Sequence, residues 1–477
     1  MPTTDYEAFL DAKTHSKNDH GFDPVWIPDK LFDFQRALLE WATRKGRAAI
    51  FADCGLGKTF MQLAWAENVA RKTDGRVLIL TPLAVSFQTV SEGEKIGVEV
   101  AHRRDGMKDG DRIVVTNYER LHYFNPSDFV GVVCDESSIL KHYTGATQKN
   151  VTRFMTKLPY RLLCTATAAP NDYVELGTSS EALGELSNSE MLTRFFRYRD
   201  NKGQAQDARE NDFFELAESY YGKLAFRVSQ TIGQWRLKKH AIVPFWQWVS
   251  SWARACRKPS DMGFCDDGFI LPPLHERQHI IKPETPPDGL LFCMPAFGLA
   301  EEREERKRTL SERCEFAAHL VAHDRPAVVW CHANAEGDLL EELIPDARQV
   351  AGRTPDDEKE DIYRDFAAGN IRALVIKPKI GAWGLNWQHC AHVVTFASHS
   401  YEQYYQSVRR CWRFGQKNPV TVDVIATDGE ERVIENMQRK ADQANIMFKM
   451  LVSEMNNARH ESTDNTHHNN QEVPSWL

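Results

Sequence analysis

Short apolar runs alternate with helical stretches along most of this chain. RAAIFA, RVLILT, RIVVTN, FVGVVCDE and YRLLCTAT are continuous apolar segments, most of them rich in Val, Ile or Leu, with no in-out alternation. Such runs predict strands covered on both faces, as in a parallel sheet. After the first of them, TFMQLAWAENVARK spaces its apolar residues as a helix does. Strand and helix in turn predict a doubly wound α/β domain over residues 31–185, preceded by an extension, 1–30.

The pattern breaks over residues 186–285, which are rich in aromatic and charged residues; the expectation there is a helical insertion that braces its neighbours. LPPL (Leu271–Leu274) and KPETPPDG (Lys282–Gly289) are linker-like. A second alternation begins near Arg303, where Leu310, Phe316, Ala317 and Leu320 mark a helix. PAVVWCH, ARQVAG, IRALVIKP, HVVTFA and VTVDVIAT follow as strands. One helix start between them is well marked: Thr354 as N-cap, Pro355 in the first helical position, Asp356 and Asp357 suited to the helix dipole, and Gly369 as the stop. This second α/β domain is expected over 286–456, with a polar, disordered tail over 457–477.

Composition changes little in this picture. The chain has 477 residues, too many for one core, with 42% hydrophobic and 26% charged residues. A net charge of -8 means that any nucleic-acid site must be a local groove. No run is long and apolar enough to predict a membrane span, and the polar N-terminus lacks the apolar core of a signal peptide. Ten cysteines are scattered without a C-x-x-C pair; several, Cys134, Cys164 and Cys331 among them, sit in apolar strands as small buried hydrophobes, which fits a reducing cytosol.

Candidate chemistry begins at ADCGLGKT. Gly55 and Gly57, on either side of Leu56, let backbone N–H groups turn toward a phosphate. Lys58 can reach the β- and γ-phosphates and the Thr59 hydroxyl can ligate Mg2+, with the dipole of the following helix adding to the pull. Ala52 stands where the full phosphate-loop pattern has glycine. Downstream, FVGVVCDESS sets Asp135 and Glu136 at the end of an apolar strand, the edge at which open α/β sheets bind ligands. The first acid can hold Mg2+ and the second can polarise an attacking water.

In order the chain shows FDFQ, ADCGLGKT, LTPLAVSFQ, VTNYERL, CDESS, CTATAAPN, GAWGLNWQ and QSVRRCWRFGQ. This series resembles helicase superfamily two, and most of all its Swi/Snf-type branch of DNA-translocating ATPases, over most of residues 31–430. Gly384, Leu385, Asn386 and Gln388 fit the branch's fifth motif; Gln406, Arg410, Arg413, Gly415 and Gln416 fit its sixth. The sequence departs from the branch at Ser137, Ser138 and Ala168, while Arg409 favours the branch over generic members of the superfamily.

The resemblance implies two tandem RecA-like domains, ATP and Mg2+ as cofactors, and a minimal motor of bacterial or phage type in the cytoplasm. It implies that Gln35 reads adenine, that Gly384 and Gln406 belong to the nucleotide site, and that Thr165 and Thr167 couple that site to domain movement. Arg410 and Arg413 would be arginine fingers supplied by the second domain. DNA, duplex by preference and single-stranded as the alternative, would meet Thr81, Thr116, Asn117 and Trp383; for Trp387 core packing is the stronger expectation. WRLKKH (Trp235–His240) would either widen this track or form a solvated face. HCAH lacks further metal ligands at suitable spacing and reads as a loop and strand start. A strand-separating DNA or RNA helicase and a slowly hydrolysing nucleotide-gated clamp are the rival functions. A replication, recombination or restriction partner is compatible with the motor.

Overall fold

The structure is a computed structural model describing residues 19–141, 145–169, 171–198, 235–282, 299–381 and 385–468. The chain divides into two compact units, residues 1–265 with 445–477, and 266–444.

The first unit is built on a seven-stranded sheet. Its strands are β1 (Arg47–Ala52), β2 (Val77–Thr81), β3 (Ala101–His102), β4 (Ile113–Asn117), β5 (Gly131–Asp135), β6 (Tyr160–Cys164) and β9 (Ala253–Cys256), in the order β3-β4-β2-β5-β6-β1-β9. Every pairing is parallel. β1, β2, β4, β5 and β6 are the five apolar runs of the sequence, and they are buried almost throughout. The pair β7 (Phe196–Tyr198) and β8 (Trp235–Leu237) is separate and antiparallel. Helices α1 (Asp33–Lys45) and α2 (Lys58–Thr73) flank β1, and α2 is buried from Met61 to Ala70.

The stretch expected as a helical insertion serves the two sheets instead. Its helix α7 (Ile242–Trp252), following α3 (Ser86–Ile96), α4 (Ala146–Met155), α5 (Leu176–Leu183) and α6 (Asn188–Phe195), buries Phe245, Trp246, Trp248 and Trp252 in the core of the first unit. Trp252 meets Phe51 of β1 edge-on at 6.2 Å. β9 then runs beside β1, and Leu274–Ile281 becomes β10, an edge strand of the second sheet. The aromatic residues of its described part are therefore core material of the first unit. Residues 199–234 and 283–298 lie outside the described residues.

The second unit has a six-stranded parallel sheet in the order β10-β15-β14-β11-β13-β12. Its strands β11 (Ala327–Trp330), β12 (Ala347–Val350), β13 (Ala373–Ile376), β14 (His392–Phe396) and β15 (Val420–Thr427) coincide with the expected ones. Helices α8 (Leu299–Arg308), α9 (Leu310–Leu320), α10 (Asn334–Leu343) and α11 (Asp356–Ala368) cover it. α11 starts one residue later than its sequence signals suggest: Pro355 sits at the cap, and the Thr354 hydroxyl accepts from Ala351 N instead. Trp387 is buried against Trp330 and Phe366 at 5.8 and 5.3 Å, the core packing expected of it. The final helix, Glu431–His468, extends into the stretch expected to be disordered; Ile446, Met447, Met450 and Leu451 anchor it in the core of the first unit.

A polar chain crosses the second sheet. Asp423, 1% exposed, accepts from Nε2 of both His279 and His392 at 2.7 Å, and His392 Nδ1 meets His323 Nε2 at 2.7 Å. Burial raises the Asp423 carboxyl, but the bonds from the two imidazoles outweigh it and the net shift is downward. Burial lowers His392 despite Asp423. The signs agree. The unfolded chain takes up the imidazole proton first, so stability is lost as pH falls below the ordinary histidine value of 6.5. The Asp423 contribution, complete above 3.8, is lost below it. Thermal melting of the second unit should therefore weaken from about pH 6.5 downward. An Asp423→Asn variant with an unchanged melting temperature and acid slope would refute this.

Candidate nucleotide site

Three neighbouring strands, β5, β6 and β1, end together at the carboxyl edge of the first sheet. Asp135 and Ile50 both pair with Cys164, so the last turns of these strands are in register. β1 leads into the phosphate loop, β5 into Glu136 and β6 into Thr165. That edge is where an open α/β sheet presents a ligand crevice.

The loop takes its shape from two left-handed glycines, Gly55 at φ 87° and Gly57 at φ 74°. Lys58 Nζ donates to the carbonyls of Ala52 and Asp53 at 2.9 and 3.2 Å. Asp53 N donates to Cys256 O at 2.9 Å, so β9 clasps the base of the loop. Gln35 is buried: its Nε2 donates to Leu56 O at 2.9 Å and its Oε1 accepts from Phe32 N at 3.0 Å. The residue expected to read adenine thus braces the loop itself. A Cβ on Gly57 would stand 2.3 Å from Gln35 Nε2. Gly57→Ala should therefore destabilise the first unit by about 1–2 kcal/mol, from the left-handed φ alone, and displace Gln35. Denaturant unfolding checks this; a loss below about 0.5 kcal/mol would contradict it.

Beside the loop, Gln62 Nε2 donates to Asp135 Oδ1 at 2.6 Å. Burial and then the Glu136 charge push the Asp135 carboxyl upward, against Gln62 and Lys58. Glu136 has φ 48°, a left-handed conformation uncommon for such a residue. The backbone around it is fixed by Tyr118, whose hydroxyl donates to Asp135 O at 2.5 Å, and by Ile139 N, which donates to Glu136 O at 3.1 Å. Thr165 Oγ1 donates to Glu136 Oε2 at 3.4 Å and accepts from Thr167 N at 3.1 Å. The two expected coupling threonines thus form one chain with the carboxylate.

The residues suit a divalent cation. The Thr59 hydroxyl and the Asp135 carboxylate are hard oxygen donors of the kind Mg2+ takes. Gln62 Oε1 and the hydroxyls of Thr116, Ser137 and Ser138 are buried without a hydrogen-bond partner among the described residues. A buried carboxylate pair with spare oxygen acceptors is relieved by positive charge.

In the second unit, Arg410 is 3% exposed. Its Nη2 donates to Gln406 Oε1 at 2.7 Å, its Nε to Gln406 O at 3.1 Å and its Nη1 to Leu385 O at 3.0 Å. Arg413 is half-buried, and its Nη1 reaches the same Leu385 carbonyl at 3.2 Å. Gln416 is knotted to Cys390 O, Cys411 O and the amides of Lys417 and Asn418. The fifth and sixth motifs are therefore one hydrogen-bonded body. Gly384 and Trp383 lie outside the described residues.

Residues 312–415 match the helicase conserved C-terminal domain family. The DNA annealing helicase and endonuclease ZRANB3 of Mus musculus is 28% identical over 192 residues, 36% of this chain and 18% of that protein. This part of the chain is similar to helicase C-terminal domains and to a DNA annealing helicase. The ATP-dependent RNA helicase fal1 of Aspergillus oryzae is 26% identical over 145 residues, 29% of this chain and 35% of that protein. The matches thus span about a fifth of the mouse relative and about a third of the fungal one. The Sulfolobus solfataricus SWI2/SNF2 ATPase core in complex with dsDNA aligns over 91% of this chain and 95% of its own, at 14% identity and a TM-score of 0.37, too distant a likeness to carry weight.

Three residues expected on the nucleic-acid path sit inside the first unit. Thr81 and Thr116 are fully buried, and the Thr81 hydroxyl is shared with Ser86 at 2.9 Å. Asn117 is 5% exposed and caps the next turn by accepting from Arg120 N. In this arrangement none of the three presents a free side chain at the surface, because β2 and β4 are covered on both faces. In WRLKKH, Trp235–Leu237 forms β8 and Lys238 Nζ donates to Thr193 O and Arg194 O at the end of α6. Sequence reasoning missed Gln62, Tyr118 and Cys256. Gln62 follows Lys58 by one helical turn, a signal that was readable; Tyr118 and Cys256 become visible only through tertiary contact. Among the described residues no helix is long and apolar enough to cross a membrane.

Proposed function

We propose that this Swi/Snf-like chain is an ATP-dependent DNA translocase that hydrolyses ATP to ADP and phosphate and moves on duplex DNA. The observation that supports it most is the convergence of the phosphate loop, the Asp135–Glu136 pair and Thr165 at adjacent strand ends. Lys58 and the loop amides would hold phosphate oxygens, and Thr59 and Asp135 would hold Mg2+. When bound, Mg2+ supplies charge neutralisation at the phosphates. Glu136 would orient and polarise the attacking water. Nucleic acid would be met by exposed groups at the ends of β2, β3 and β4: Phe87, 50% exposed and packed on His102 at 4.7 Å, with Arg104 and Arg120 close to the same imidazole. An aromatic ring among guanidiniums suits stacking and backbone contact with little sequence preference. Free and mostly buried cysteines among the described residues support a reducing compartment, the cytoplasm of a bacterial or phage-infected cell.

Steady-state ATP hydrolysis with no nucleic acid, duplex DNA, single-stranded DNA and RNA, beside a Lys58→Ala control, tests this. Stimulation by duplex DNA that the control lacks is the expected result. Stimulation by a single strand or RNA alone would move the function to strand separation. None at all would sink the motor in favour of a nucleotide-gated clamp.

A further inference from the structure

A groove of about 380 Å³ opens between the turns of residues 118–123 and helix α4, on the first unit. Its floor is apolar: Leu121, Phe124, Val151 and Phe154 line it, none more than 6% exposed. Its rim is basic. Arg153 and Lys157 project from the end of α4 and the turn after it, both are exposed, and neither enters an ion pair among the described residues. Glu119 is the one acid among the lining residues. On a chain of net charge -8 the rim of this groove is therefore locally basic.

We propose that this groove docks an acidic peptide segment of a partner protein, with one or two large apolar side chains seated between Leu121 and Phe154 and flanking carboxylates on Arg153 and Lys157. The volume suits one or two such side chains, within the usual range of ligand clefts. Bidentate carboxylate recognition is what an exposed guanidinium does best. A nucleic-acid strand is the poorer fit. Its backbone needs a track of cations at phosphate spacing, whereas this rim carries only Arg153 and Lys157 besides His122 among the described residues. The groove also reaches the carboxylate pair. Tyr118 lines it and donates its hydroxyl to Asp135 O, one residue before Glu136. A docked segment packs on the ring that fixes this backbone, so the partner would also alter hydrolysis; that consequence alone rests on the function proposed above, and the docking does not.

The test is selection from a random peptide library displayed on phage, with the full chain as bait, followed by fluorescence polarisation of the enriched peptides. Three chains are compared: wild type, Arg153→Glu/Lys157→Glu, and the conservative Arg153→Lys/Lys157→Arg. The expected result is enrichment of Phe, Trp or Leu flanked by Asp or Glu, binding weakened about tenfold or more by charge reversal, and binding kept by the conservative exchange. Equal melting temperatures show that the reversal acts on the surface and not on folding. Failure to enrich acidic-apolar peptides, or equal binding by the charge-reversed chain, overturns the proposal. Displacement of the peptides by a single-stranded oligonucleotide whose own affinity falls on charge reversal would reassign the groove to nucleic acid.

Discussion

Replacing Glu136 by glutamine is expected to slow ATP turnover by roughly 10²–10⁴-fold while leaving nucleotide binding close to wild type. The amide keeps the size of the side chain and can still meet the Thr165 hydroxyl, which lies 3.4 Å from Glu136 Oε2, but it cannot accept a proton from water. Glutamine also keeps the left-handed backbone at φ 48°, so stability should change little. Glu136→Gly separates the two properties. Glycine adopts this φ without steric cost, so that variant should gain about 1 kcal/mol in unfolding while losing the same chemistry. Held strain at a carboxylate suggests a position kept for reaction rather than for folding. Single-turnover hydrolysis and fluorescent-nucleotide binding decide it. Turnover within about threefold of wild type for Glu136→Gln would remove Glu136 from the chemistry.

Most of the strands that were legible in the sequence are the ones buried on both faces. β1, β2, β4, β5, β6, β11, β13 and β14 are apolar enough to declare themselves without an alternation, whereas the edge strand β12 (ARQV) and the alternating β15 (VTVDVIAT) were legible from their place in the series. β9 and β10 were hidden for opposite reasons. β9 is four residues long and follows an aromatic helix without a break, so its apolar content merges with that of α7. β10 is an edge strand whose His275, Glu276 and Arg277 are exposed, so it has the polarity of a loop. The site divides in the same way. Lys58, Asp135 and Glu136 could be placed because the chemistry requires those groups after a strand. Which way Thr81 and Thr116 point depends on the register of a covered sheet, and no spacing in the chain reveals it. Gln35 was readable as a motif residue, but its grip on Leu56 O depends on how α1 packs on the loop.

The two arginines of the sixth motif should part company under mutation. The resemblance assigns both to the charge that spreads over the γ-phosphoryl oxygens, yet they are held very differently. Arg410 is buried and has its guanidinium committed to Gln406 and the Leu385 carbonyl. Truncation there leaves buried acceptors behind, so Arg410→Ala should cost the second unit about 2–4 kcal/mol, with activity lost along with structure. Arg413 is half-buried where Arg410 is buried, so it can turn toward a phosphate at smaller desolvation and packing cost. Arg413→Ala should lower the catalytic rate by roughly 10³-fold with the melting temperature nearly unchanged. Arg413→Lys should recover little of it, because an ammonium does not reproduce the planar fork. The decisive comparison is kcat beside thermal unfolding for the two alanine variants. If Arg410→Ala proved stable but inactive and Arg413→Ala kept most of its rate, the roles would have to be exchanged, and the Arg410 contacts with Gln406 would then be a resting position that the working cycle breaks.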